Sequence, residues 1–575
     1  YLGLSRLNMK TGQRQSIRPG DPQGRIGARR NWTSWGPGTE EPELGNAMAP
    51  GNWDGPFFLS YHDENTIYSG TEQLWKSTDG GASWKTLGDL TTRVNRRELT
   101  IMGQRADSST LSLDDGIPYY PTLTAVAESK QKQGMLYVGT DDGLMQISSN
   151  DGKTWTNVTD RLPGLPKETW VNTIETSWHH AGTAYVAINN YRNNDFTNYV
   201  YKTTDFGQSW TSVVGDLPKD RVARTLREDP KNSEVLYLGT EIGLFVSVNG
   251  GRNWVELKNN MPTLPFNDLV IHPRDNDLIL GTHGRGVWIL DNISAIQELG
   301  GVMNQQAALF SIPDAEIINY NVGGAHTGDM YYRGENPRRG AMMDIYLKDS
   351  VAKDNISLSI MDTDGNLIQK VNTGNKAGIQ RVYWDFSHDS FKSGNADPNA
   401  GRRGGGRRGF GLNGPQVVPG TYVARLEVNG QAQEQQFKVK DDKRLEVDFN
   451  VRSVWTASLF TIGGLYEQVI DGMLGAQKMQ WHLNKLDKDK IKYNEEAAAP
   501  IKEVNRKYNE LLSRVRSLYF GTSGWIGPWS GDQQAQFNYF ESMIGKLGLE
   551  TASVLKTAIP KVNKGLKKAN RFTNK

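Results

Sequence analysis

One eight-residue pattern recurs four times, and it limits what this chain can fold into more than any other feature. The copies read Ser77-Thr-Asp79-Gly-Gly81-Ala-Ser-Trp84, Ser148-Ser-Asn150-Asp-Gly152-Lys-Thr-Trp155, Thr203-Thr-Asp205-Phe-Gly207-Gln-Ser-Trp210 and Ser247-Val-Asn249-Gly-Gly251-Arg-Asn-Trp254. Their common form is Ser/Thr-x-Asp/Asn-x-Gly-x-x-Trp. Successive tryptophans lie 71, 55 and 44 residues apart. The residue types point to a structural turn. Asp or Asn accepts hydrogen bonds from nearby backbone N–H groups and closes it. Gly supplies a conformation with positive φ, and Trp offers a ring to pack on a neighbouring unit.

A second repeat precedes the boxes: Ile67-Tyr-Ser-Gly-Thr71, Leu136-Tyr-Val-Gly-Thr140 and Leu236-Tyr-Leu-Gly-Thr240, with a boxless copy at Leu278-Ile-Leu-Gly-Thr282. Another strand-like run stands before each copy. The unit is therefore strand, turn, strand, Gly-Thr turn, strand, box, strand. Four-stranded units of roughly 40–50 residues in series are the blades of a β-propeller. About five blades are expected, with a partial one over residues 1–18. A propeller must close on itself, so further blades are expected upstream or from another segment. Residue 1 already reads as strand, which places the true start further upstream.

The boxes resemble the Asp-box, or BNR, repeats of sialidases, xyloglucanases and sortilin-type receptors. Residues 1–300 are similar to the later part of exported bacterial BNR-repeat proteins, often labelled glycosyl hydrolases. The resemblance rests also on Thr140-Asp-Asp-Gly143, His272-Pro-Arg-Asp275 and Gly281-Thr-His-Gly-Arg-Gly-Val-Trp-Ile-Leu290. It implies an exported protein of the periplasm, outer-membrane surface or extracellular space. Its sortilin-type members imply peptide or protein ligands. The Arg-Ile-Pro element that accompanies the sialidase site is absent.

Residues 301–445 change to alternating strands and turns. They resemble an immunoglobulin-like β-sandwich, interrupted by a Gly/Arg-rich loop at 401–409 that reads as flexible surface. Residues 446–575 read as a helical bundle. Ile501, Val504, Tyr508, Leu511, Leu512, Val515 and Leu518 keep the 3.6-residue period, and further segments fit at 451–485, 532–547 and 549–571. The fold class is thus mainly β: a partial Asp-box propeller, a sandwich and a C-terminal helical bundle.

Composition removes several function classes. Lys+Arg number 66 and Asp+Glu 64, so the chain lacks the basic excess of a nucleic-acid binder. Without cysteine there is no disulfide scaffold, thiol nucleophile or thiolate metal site. No apolar run is long enough to span a membrane. No cofactor motif and no metal-ligand spacing appear. His179-His180 reads as an exposed turn, and Asp362-Thr-Asp-Gly365 as a hairpin turn.

Strand parity sorts the loops. The boxes share one face of the propeller, and the Gly-Thr turns and blade-to-blade connections share the other. That second face collects Glu72, Asp141, Asp142, Glu241, His283 and Arg285. The connections and blade three add Arg96, Arg97, Tyr119, Trp170, Phe266, Tyr191 and Arg192. Aromatics, arginines and carboxylates together suit a polypeptide or glycan ligand. The expectation is a non-enzymatic binding or scaffold protein that works with other subunits of a cell-envelope complex. The alternative is a glycoside hydrolase using Asp141 and Glu241 as its paired carboxylates.

Overall fold

The computed structural model describes residues 3–19, 51–52, 55–94, 100–101, 104–105, 120–258, 260–318, 336, 338–392, 411–445 and 447–572. Arg96, Arg97, Tyr119 and the 401–409 loop lie outside the described residues. The chain forms two compact units, Tyr1–Gly301 and Val302–Lys575.

The first unit is a series of small antiparallel sheets in which consecutive strands pair. Blade 1 comprises Phe57–Leu59, Ile67–Gly70, Gln73–Ser77 and Lys85–Asp89. Blade 2 comprises Leu123–Glu128, Leu136–Thr140, Met145–Ser148 and Thr156–Asn157. Blade 3 comprises Trp170–Thr176, Ala184–Asn190, Asp195–Thr203 and Thr211–Ser212. Blade 4 comprises Ala223–Glu228, Leu236–Thr240, Gly243–Ser247 and Val255–Glu256. Blade 5 has three strands among the described residues, Phe266–Ile271, Leu278–Thr282 and Val287–Leu290. The second strands of blades 2 to 4 are buried throughout. Their near-continuous apolar runs follow from packing on both faces.

The box turns close as their chemistry requires. In blade 1, Ser83 donates to Asp79 through its backbone N (2.9 Å) and its hydroxyl (2.6 Å), and the Gly81 N–H donates to Ser77 Oγ at 2.8 Å. Asp205 binds Ser209 in the same way. Asn150 and Asn249 accept the equivalent backbone bonds from Thr154 and Asn253. The hydroxyl and N–H donors, led by the serine hydroxyl, hold Asp79 and Asp205 at about 2, below the ordinary 3.8. A carboxylate depressed on folding stabilises the fold above its unfolded pKa, and that contribution is lost as pH falls from about 4 to about 2. Asp79→Asn, the residue two sister boxes carry, is expected to keep the turn and flatten the acid limb of a urea-midpoint series over that window. An unchanged limb would place the acid-sensitive group elsewhere.

The tryptophans fasten each blade to the one before. Trp84 Nε1 donates to Ile17 O (2.8 Å), Trp155 to Leu87 O (3.1 Å) and Trp254 to Val213 O (3.0 Å). Leu87 and Val213 each stand three residues after the box Trp of the preceding blade. By that correspondence the hairpin of Ser5–Leu7 and Arg14–Ser16 is the outer half of a blade preceding blade 1. A second latch uses the strand-two tyrosines. The Tyr68 hydroxyl donates to Glu128 across the first seam, and that of Tyr185 to Glu228 across the third.

The seam between blades 2 and 3 departs from both rules. Thr176 occupies the register position of Glu128 and Glu228. The Tyr137 hydroxyl and Trp210 Nε1 are buried there without a hydrogen-bond partner. Other bonds hold this seam: Arg161 to Gly207 O (3.1 Å), and the Thr176 hydroxyl to Glu128 O (2.8 Å). Trp155→Phe orphans a carbonyl and Trp210→Phe does not. The first is expected to cost about 1 kcal/mol more than the second in urea unfolding, and equal losses would remove the latch.

In the second unit, one sheet holds Ala307–Leu309, Ala341–Leu347 and Gly378–Trp384. The other holds Ala315–Ile317, Gln431–Asp441, Gly420–Val428, Ile356–Met361 and Leu367–Val371. Together they are the two-sheet sandwich expected. Trp384 lies at its centre with Phe386, Tyr422 and Phe437 around it. Asp362 closes the turn after Met361 by accepting from the Asp364 and Asn366 N–H groups.

A short helix, α1 (Ser294–Val302), follows blade 5, in addition to the elements expected from the sequence. The bundle contains α2 (Phe449–Lys488), α3 (Glu495–Ser523) and α4 (Gly531–Asn563). The separate segments expected at 532–547 and 549–571 are one helix as far as Asn563. A mid-helix Gly costs about 1 kcal/mol, and burial of Leu547, Val554 and Ala558 along one stripe outweighs it at Gly548. Arg452 of α2 is 1% exposed and pairs with Asp441, the last strand residue of the sandwich, at 2.9 Å. Its Nε and Nη1 are buried without partners.

Candidate functional site

The first strands of neighbouring blades face one another, and between them lies a cavity of about 520 Å³. Phe58, Thr124, Ile174, Arg224 and Asp268 each bring a different blade to its wall. Alternation along a strand turns every second side chain to this axis. The wall carries charges of both signs, and four of them are matched across seams. Lys130 Nζ meets Glu175 Oε1 at 2.9 Å, Arg227 reaches the other Glu175 oxygen at 4.0 Å, and Arg227 Nη2 meets Asp268 Oδ1 at 2.6 Å. Tyr61 and Trp178 meet edge to face above this ladder, with the Lys130 ammonium 4.7 Å from the Trp178 ring centroid.

At the start of blade 3 a second group assembles. Trp170 begins the first strand, and Tyr191 and Arg192 sit in the turn after the second strand, closed by Asn194 in a left-handed conformation. The Arg192 guanidinium lies 3.8 Å from the Trp170 ring centroid and 4.7 Å from that of Tyr191. Arg224 stacks on Tyr191 at 5.2 Å and pairs with Glu241. Each cation–π contact of this kind is worth about 0.5–2 kcal/mol, more where water is excluded. Trp170 and Arg224 also line the cavity, so this stack forms one of its mouths.

Of the residues expected on the binding face, the structure brings Trp170, Tyr191, Arg192 and Glu241 together. Asp141 is elsewhere. It is 3% exposed and accepts from the Thr122 N–H and hydroxyl, both at 2.7 Å, and from Asn52 at 3.0 Å. Burial is the largest influence on its carboxyl and pushes it up to about 7. No hydrogen bond or ion pair joins Asp141 to Glu241 among the described residues. Asp142 is buried too, accepting from the Thr140 hydroxyl and, at 2.7 Å, from the Thr92 N–H. Glu72 is half-buried, and burial raises its carboxyl. His283 and Arg285 lie exposed in the blade 5 turn. Phe266 is buried in a strand rather than presented by a connection. His179 is half-buried and bonds Asp229 O at 2.9 Å, whereas His180 is exposed.

Lys130, Glu175, Arg227 and Asp268 are not among the residues expected on the binding face, which are mainly loop residues. Glu175, Arg227 and Asp268 lie inside first strands and Lys130 stands two residues after one, so their signal is charge in or beside strands that are otherwise largely apolar. Among the described residues no three acidic or histidine side chains converge as a metal site. No helix among them is long and apolar enough to cross a membrane.

No protein family matches the chain, and no curated protein does. Solved structures resemble parts of it. The GH74 xyloglucanase from Xanthomonas campestris is 18% identical over 41% of this chain and 36% of its own, with a TM-score of 0.31. The GH74 enzyme of Niastella koreensis is 14% identical over 66% and 56%, with a TM-score of 0.30. A structure of YCF48 bound to D1 peptide is 13% identical over 43% and 99%, with a TM-score of 0.18. The chain therefore spans well under two-thirds of the length of either GH74 protein. At such scores these likenesses add nothing to what the chain's own sheets establish about the fold.

Proposed function

We propose that this chain is the binding part of an exported, non-enzymatic scaffold of the Asp-box type. In this reading an extended polypeptide enters the first-strand cavity past the Trp170–Arg192–Tyr191 mouth. The observation that carries the reading is the paired ladder from Lys130 to Asp268. It offers both signs of charge along one wall with aromatic rings at either end. Such a wall favours a ligand bearing both charges and apolar side chains over a polyanion, because like charge opposed at close range costs affinity. The sandwich and bundle would then dock the propeller to other subunits in the cell envelope.

The test uses reduced, carboxymethylated α-lactalbumin as an unfolded polypeptide and xyloglucan as a glycan. Binding of the polypeptide without change to either probe is expected, weakened about tenfold by Trp170→Ala, a loss typical of a buried aromatic anchor. Failure of the polypeptide to bind, or indifference to Trp170→Ala, would sink the proposal. The hydrolase alternative has one observation in its favour, a carboxyl at Asp141 raised to about 7, the range a proton donor needs. Release of reducing ends from xyloglucan, abolished by Asp141→Asn, would establish it.

A further inference from the structure

The far end of the helical bundle carries a net positive charge, while the rest of the chain taken together is net negative. α2 and α3 are antiparallel neighbours, and Lys507 pairs with Glu550 where α3 crosses α4. Beyond that level lie the C-terminal part of α2, the N-terminal part of α3 and the C-terminal part of α4. His482 meets Asn570 O at 2.9 Å, and Phe572 and Asn563 exchange backbone-to-side-chain bonds of 2.8 and 3.2 Å. Asn570 and Phe572 are thus pinned onto the bundle.

Residues 478–502 and 551–572 hold twelve Lys and Arg against four Asp and Glu, a net of +8 in a chain whose total is +2. All twelve cations are exposed, Lys485, Lys488, Lys561, Lys564, Lys567 and Lys568 among them, and none makes an ion pair among the described residues. In the middle of the same bundle, Arg506, Lys507 and Arg514 are all paired. Helix dipoles do not account for the excess, since each C-terminus amounts to about half a charge and two end here. Trp481 stands 64% exposed among the lysines, and Leu555 is exposed on α4.

We propose that this end of the bundle docks on the surface of an anionic lipid bilayer. Eleven of the twelve cations are lysines. Lysine acts as a hydrated point charge, whereas fitted phosphate recognition uses the planar fork of arginine. A diffuse negative surface needs only the former. An exposed Trp beside lysines whose stems can lie along apolar surface is the composition of an interfacial anchor. The inference does not depend on what the propeller binds.

The experiment floats the full chain with phosphatidylcholine vesicles containing about a quarter phosphatidylglycerol, at about 50 mM salt so that charges act over more than 10 Å. Binding is expected with these vesicles and not with pure phosphatidylcholine, and release is expected at about tenfold higher salt. Lys564→Glu, Lys567→Glu and Lys568→Glu combined should weaken binding at least about tenfold, since each lysine contributes separately to attraction. Trp481→Ser should weaken it while leaving the salt dependence unchanged. These sites are exposed, so a matching far-ultraviolet spectrum will show that the variants fold. No flotation with anionic vesicles, equal flotation with neutral ones, or full binding by the triple variant would overturn the proposal. So would capture by single-stranded DNA in preference to vesicles, which would assign this end to nucleic acid.

Discussion

Asp441→Ala is expected to cost the second compact unit about 3–5 kcal/mol, because it strands a buried guanidinium. Arg452 is 1% exposed, and Asp441 is the single carboxylate paired with it. Burial already lowers the pKa of Arg452, against the pull of the Asp441 charge. Two of its nitrogens have no partner even in the intact protein. The expected order in urea unfolding follows from this. Arg452→Met should be much milder than Asp441→Ala, and Arg452→Met added to Asp441→Ala should recover most of the loss, a non-additivity characteristic of contacting residues. A single Asp441→Ala loss below about 1 kcal/mol would mean that water reaches the guanidinium once the carboxylate is gone.

Gly239→Ala carries the second large effect. A Cβ at Gly239 would stand 2.7 Å from Phe266 O and 2.8 Å from Thr225 Cγ2, so backbone of the next blade has to move. Overpacking of this kind costs about 1–3 kcal/mol. Gly281 is the same residue of the same repeat in blade 5. There a Cβ would come no nearer than 3.4 Å to its neighbours, and Gly281→Ala is expected to change stability by less than about 0.5 kcal/mol. Equal losses at both positions would show that the glycine serves its own strand and not the seam.

That contrast also explains what was legible in the sequence. The Gly-Thr turns and the Ser/Thr-x-Asp/Asn boxes announced the blades because their chemistry is local: donor and acceptor lie within five residues. The bundle announced itself through periodicity. The ladder did not, because Lys130 meets Glu175 across 45 residues and Arg227 meets Asp268 across 41. Only closure of the blades around an axis brings such pairs together. Asp141 misled for the same reason. Thr140-Asp-Asp-Gly143 reads as a surface turn, and the Thr122 and Asn52 donors that bury it come from 19 and 89 residues away. Trp170 and Arg192 were legible as residue types, but their stacking depends on a left-handed Asn194 that the sequence does not mark.

The irregular seam between blades 2 and 3 has a consequence for assembly. A chain that writes one turn four times risks docking a blade on the wrong neighbour as it leaves the ribosome, a characteristic failure of repeat proteins. Identical latches would not discourage it. Here Arg161 donates to Gly207 O, and the Tyr137 hydroxyl stays unpaired beside a strand that carries Thr176 where the neighbouring seams offer Glu128 and Glu228. The seam between blades 2 and 3 therefore differs from its neighbours in what it pairs and what it leaves unpaired, and such departures from the repeat are what can set one blade junction apart from another.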